Sequence, residues 1–133
     1  MKTIMRLALI LCVIALCVSA QPSPSSRFPQ AVTFTIAQGA STSAAVNMGG
    51  CTATALVIPV ALTGTALTFT AAPDGLAYLP VFDEYNASKT ISVGTTARVV
   101  VLSPSDFWMG GLIKIVSNGT EAAARTIRVV CRN

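Results

Sequence analysis

The sequence predicts an all-β domain, an antiparallel sandwich carrying one short helical turn near residues 103–108. In several short runs, apolar residues alternate with threonine or charged residues at a period of two, which puts the apolar set of each run on one face of a strand. Turn signals built on Gly, Pro, Asn and Asp recur mostly every 8 to 15 residues. That spacing suits strands and leaves little room for crossover helices. The only helix-start signal of note is Ser103-Pro104-Ser105-Asp106, with Ser103 placed to cap, Pro104 at the first helical position and Asp106 near the positive end of the dipole.

Residues 1–20 combine a basic start (Lys2, Arg6), an apolar run of 12 from Leu7 to Val18 and the small-residue ending Val18-Ser19-Ala20. This is the layout of a secretory signal peptide, and the run is short for a bilayer-spanning helix. Cleavage is expected after Ala20, the alternative being an uncleaved apolar N-terminal arm. Leu16 before Cys17 argues against a lipoprotein signal, which wants a small residue there. Residues 21–30 read as a Pro/Ser-rich linker, since Gln21-Pro22-Ser23-Pro24-Ser25-Ser26 can neither build a core nor continue a helix. The sandwich domain is expected over residues 31–133.

Within it, Val32, Phe34 and Ile36 share one strand face, with Thr33 and Thr35 on the other. Leu67-Thr68-Phe69-Thr70 repeats the pattern, and Lys114 opposes Ile113 and Ile115. The apolar runs Ala53–Val60 and Val99–Leu102 read as strands buried on both faces. In the last strand, Ala124–Arg132, the set Ile127, Val129 and Cys131 faces the core and the set Arg128, Val130 and Arg132 faces away.

Of four cysteines, Cys12 and Cys17 fall in the signal, leaving Cys51 and Cys131. In an exported protein such a pair is read first as a disulfide, with two buried free thiols as the alternative. Beyond residue 20, seven basic residues stand against five acidic ones, a formal charge of +2. That density provides no clustered basic face for nucleic acid, and after signal removal no segment addresses a membrane.

Histidine is absent, which removes the usual base for Ser or Cys nucleophiles and a frequent zinc ligand. A glycosidase needs only two carboxylates, for which Asp74, Asp83, Glu84 and Asp106 are candidates. Asp74 in Pro73-Asp74-Gly75 and Asp106 at a helix start are better explained as local caps. Asp83-Glu84 with Asn86 could contribute to a calcium loop, although a solvated acidic turn accounts for it more simply. No catalytic, cofactor or metal residue is therefore assigned. The aromatics to inspect for ligand contact are Tyr78, Tyr85 and Trp108, near expected strand ends or turns. Two sequons, Asn86-Ala87-Ser88 and Asn118-Gly119-Thr120, would be glycan acceptors in a eukaryotic secretory pathway.

The segment from Gly64 through Leu67-Thr68-Phe69-Thr70 to Pro73-Asp74-Gly75, followed by Tyr78-Leu79-Pro80-Val81-Phe82-Asp83, resembles a pattern common in tailed-bacteriophage and prophage structural proteins. So do Val101-Leu102-Ser103-Pro104-Ser105-Asp106-Phe107, Leu112-Ile113-Lys114-Ile115-Val116-Ser117 and Glu121-Ala122-Ala123-Ala124-Arg125-Thr126-Ile127-Arg128-Val129, and the likeness spans about residues 54–130. The resemblance implies a β-sandwich or jelly-roll virion component, a head decoration, cement or fibre-like protein, working by contact with capsid or other virion proteins and needing no cofactor. A Thr-, Ala- and Val-rich, low-charge surface suits a homo-oligomer. The same strand-turn-strand arrangement is similar to galactose-binding-like modules. That keeps open a rival reading as a secreted or periplasmic carbohydrate-binding or adhesion domain with glycan partners.

Overall fold

The computed structural model describes residues 30–103 and 110–132. The signal, the linker apart from Gln30, the expected helical turn and Trp108 lie outside the described residues. Nine strands run through them: β1 (Gln30–Ile36), β2 (Val46–Asn47), β3 (Thr52–Ile58), β4 (Ala66–Ala72), β5 (Leu79–Pro80), β6 (Thr90–Ser92), β7 (Arg98–Val101), β8 (Leu112–Ser117) and β9 (Arg125–Arg132). They form two antiparallel sheets. Sheet A has the order β1-β9-β3-β7; sheet B has the order β2-β8-β4-β5, with β6 also on β4. Because β8 occupies one edge of β4 along its length, β5 and β6 lie one after the other along the opposite edge.

The expected period of two is realised where it was strongest. Phe34 and Ile36 of β1, Leu67 and Phe69 of β4, Ile113 and Ile115 of β8, and Ile127, Val129 and Cys131 of β9 all point into the space between the sheets and are buried. Burying each large aliphatic or aromatic side chain contributes about 1.5–3 kcal/mol, so these inner faces hold the two sheets together.

Strand β3 departs from simple alternation. Its register with β9 slips between Ala53 and Ala55, leaving Thr54 as an extra residue whose hydroxyl donates to the Val130 carbonyl at 3.1 Å. A bulge of this kind shifts the phase of a strand by one residue. Here it lets Leu56 and Ile58 on one side of the slip and Ala53 and Cys51 on the other all face inward. Cys51, just ahead of β3, thereby meets Cys131 in a disulfide with Cα atoms 5.2 Å apart, joining positions 80 residues apart in sequence.

The Val99–Leu102 run is not buried on both faces. It forms β7, which pairs with β3 alone and is an edge strand of sheet A; Val99 is 62% and Val101 82% exposed. Leu102 faces inward and donates its N–H to the Thr54 carbonyl at 2.8 Å. The backbone groups of Val99 and Val101, offset by one residue, therefore turn away from β3. The Ala53–Val60 run is likewise a shorter strand ending at Ile58, and Val60 is exposed.

Candidate functional site

Between β5 and β6 the chain leaves the edge of sheet B and returns as a small hairpin finger, residues 81–89. Its base is tied to β4 by the Val81 N–H donating to the Phe69 carbonyl at 3.0 Å. Above it, the Lys89 N–H donates to the Val81 carbonyl, Phe82 bridges Ser88, and the Asp83 N–H donates to the Ala87 carbonyl at 2.9 Å. Asp83 organises the tip. Its Oδ1 accepts from the N–H groups of Tyr85 at 3.0 Å and Ala87 at 2.9 Å, and Asn86 takes the left-handed backbone conformation with φ 60°. An Asx carboxylate used in this way fixes a turn without help from the rest of the fold. Tyr85 stands at the tip, 83% exposed, with Phe82 half exposed below it. Leu76, in the Asx turn after β4 where the Leu76 N–H donates to Asp74 Oδ1 at 3.0 Å, and Leu79 of β5 are the other exposed large apolar side chains on this stretch of chain.

A second apolar surface covers the outer face of sheet A. The register aligns Ala31, Val130, Ala55 and Val101 across the four strands in one row, and Thr33, Arg128, Val57 and Val99 in the next. All of these residues alternate with inward-facing ones, so they share the solvent side. Exposed Arg128 and Arg132 give this face its charge, whereas Arg98 is engaged by its own loop, donating from Nη2 to Thr96 Oγ1 at 3.0 Å.

The sequence reading overlooked Glu121. This residue is 1% exposed and sits where one end of the sandwich is closed. Its carboxylate accepts from the Thr63 N–H at 2.8 Å, the Ser117 hydroxyl at 2.9 Å and, more weakly, the Gly64 N–H at 3.4 Å, and Arg125 Nε lies 3.8 Å away. Its backbone accepts from the Gly39 N–H and donates to the Ala40 carbonyl, each at 2.9 Å. One residue thus ties the β1–β2 and β3–β4 connections to the end of β8. Burial pushes the carboxyl pKa up, but the hydrogen bonds from Thr63, Ser117 and Gly64 together outweigh it, and the group is held below its ordinary range. Nearby, Asn118 Oδ1 accepts from the N–H groups of Thr65 at 2.8 Å and Ala66 at 3.1 Å, so this sequon asparagine is engaged in the fold.

The aromatics singled out from sequence are not gathered into one site. Tyr78 is half-buried, its ring lying under Lys114 Nζ at 3.9 Å in a cation–π contact. Tyr85 is at the finger tip, and Trp108 lies outside the described residues. Asp74 and Asp83 each spend a carboxylate oxygen on local backbone N–H groups. An open cleft of about 580 Å³ beside the disulfide is lined by Gln30, Val32, Asn47, Met48, Gly49, Gly50 and Cys51, which bring no ionisable side chain to it. Among the described residues, no three His, Cys, Asp or Glu side chains group so as to hold a metal ion. Compared with protein-family models, curated proteins and solved structures, the chain matches none.

Proposed function

We propose that this chain is a non-enzymatic structural protein of a phage-like virion that decorates or cements the capsid through protein–protein contacts. The observation that carries the reading is the placement of the exposed apolar side chains. Among the described residues, all seven large ones fall in two stretches: Leu76, Leu79, Phe82 and Tyr85 on and before the finger, and Val60, Val99 and Val101 just beyond β3 and on β7. Exposed apolar stretches of this kind on a cross-linked sandwich suit contact with other proteins, and the cleft offers no acid, base or nucleophile for chemistry. The motifs that resemble phage structural proteins fall on β4, the turn after it, β5, β8 and β9. The strand order, in which successive strands pass repeatedly between two sheets, supports the jelly-roll form of the sandwich. In this reading the protein resides in the virion, and its partners are capsid proteins.

The test is cosedimentation with particles released by cells that carry the gene. The protein is expected in the particle fraction, with Tyr85→Ala or Val101→Glu lowering its occupancy; recovery wholly in the supernatant overturns the proposal. Tyr85, a nearly bare ring, favours one rival: a secreted adhesion module stacking that ring on a sugar. A glycan array probed with the native protein and with Tyr85→Ala decides it, since a blank array eliminates the rival.

A further inference from the structure

We propose that copies of this chain associate head to tail, the finger of one copy seated on the outer face of sheet A of the next. The proposal goes beyond capsid decoration and does not depend on it, because both contacting surfaces belong to this chain. Its basis is the segregation of charge that accompanies the two apolar groups. Both exposed carboxylates among the described residues, Asp74 and Glu84, border the finger surface with Leu76 and Tyr85. On the outer face of sheet A the exposed charges are Arg128 and Arg132, set among Val57, Val99, Val101 and Val130. With Asp74, Asp83 and Glu84 against Lys89, the finger surface is net acidic, whereas the outer face of sheet A is basic, the arrangement that steers and registers a protein contact.

The two surfaces cannot satisfy each other within one molecule. They sit on different sheets, and β5 and β6, which flank the finger, touch neither β7 nor β9. The fit must therefore be made with a second copy. A two-fold contact of either surface with itself would bring together two surfaces of the same net sign, which is unfavourable. The complementary contact joins different surfaces, and such heterologous contacts propagate into rings or filaments. Tyr85, a rigid aromatic on a hairpin already fixed by Asp83, has the character of an interface anchor.

The experiment uses protein purified from cells expressing the full chain, with sedimentation velocity as the readout. The native protein is expected to form assemblies larger than a dimer that dissociate as salt rises from 0.15 M to 1 M, where the screening length falls from about 8 Å to about 3 Å. Arg128→Glu disables the face, and Glu84→Ala with Tyr85→Ala disables the finger without creating a charge that the Arg128→Glu face could pair with. Each alone should weaken association by about tenfold or more while leaving the melting temperature unchanged, as befits exposed positions. Mixed in equal amounts, the two variants should form a one-to-one dimer and stop there, since only one good finger and one good face remain. A native protein that is monomeric at every concentration and salt overturns the proposal. So do variants that associate like the native chain, and so does a mixture that stays monomeric.

Discussion

Replacing Glu121 probes how the end of the sandwich is closed, because its carboxylate satisfies donors from two separate parts of the chain. In Glu121→Ala the Thr63 N–H and the Ser117 hydroxyl, now bonded at 2.8 and 2.9 Å, lose their acceptor. Each unmet buried donor costs about 1–3 kcal/mol. The loss is therefore about 2–6 kcal/mol, a large part of the 5–15 kcal/mol typical of a domain. Glu121→Gln keeps the shape and one acceptor oxygen but turns an NH₂ toward groups that are themselves donors, and about 1–2 kcal/mol is expected. Because the folded-state pKa is lowered, the ionised carboxylate stabilises the fold fully above its ordinary value of 4.5, and that contribution disappears as pH falls through the lower folded value. Glu121→Gln removes this acid-sensitive component. Urea unfolding followed by far-ultraviolet circular dichroism, with the disulfide intact, at pH 7 and at steps below 4.5 measures both effects. An alanine variant within about 0.5 kcal/mol of the native protein, the range of ordinary surface changes, would refute the assignment. So would a glutamine variant that keeps the full acid sensitivity.

Three further outcomes follow from the architecture. Replacing both Cys51 and Cys131 by alanine opens a loop of 80 residues and is expected to cost about 4–5 kcal/mol in the chain-entropy account, read as a lowered urea midpoint against the oxidised protein; intact mass should show the native chain short by two hydrogens and, on the signal-peptide proposal, beginning at Gln21. Deleting Thr54 removes the bulge and turns Cys51 and Ala53 outward, so thiol titration should find both cysteines free; a disulfide that still forms would show that the bulge does not set the phase. Gly64→Ala would place a methyl group onto Ser117 Oγ and 2.8 Å from Asn118 Oδ1, and overpacking of this kind costs about 1–3 kcal/mol, measurable by the same unfolding assay.

The parts of this fold that could be read from sequence are those written by local alternation. Phe34 and Ile36, Leu67 and Phe69, Ile113 and Ile115, and the inward Cys131 needed only a period of two. The Pro73-Asp74-Gly75 turn was equally legible, because an aspartate that caps its own backbone acts within four residues. The bulge at Thr54 was not, since Thr-Ala-Thr-Ala-Leu-Val-Ile suits a strand in either phase and the slip is selected by β9, a distant partner. For the same reason Val99-Val100-Val101-Leu102 reads alike as a central or an edge strand. Only the pairing with β3 alone decides that two of its valines face water. Glu121 was hidden by its neighbours, a polar Asn-Gly-Thr-Glu stretch with the look of a solvated loop, while its partners Thr63 and Gly64 are 58 and 57 residues away. The finger was half visible. Asp83 and Asn86 marked a turn, but that β5 and β6 would share one edge of β4 and expel the segment between them depends on the register of β4.

The β7 edge of sheet A bears on which surface makes contact. An unpaired edge invites main-chain addition of another strand, and β7 is such an edge. Its length limits the opportunity: within its four residues only Val99 and Val101 turn N–H and C=O groups outward, and Pro104, which has no N–H to give, follows closely. Two outward residues make a poor template for a stable added strand. The outer face carries the side chains of four strands, including Val57, Val130 and two arginines, and so offers more apolar area and a charge pattern that an edge lacks. Contacts made there rest on side chains, not on backbone hydrogen bonds, and the two modes respond differently to change. Strand addition at β7 would survive Arg128→Glu and moderate salt, because the arginine lies two strands away across β3. Association through the face would not, so the same variant separates them while leaving the sheet intact.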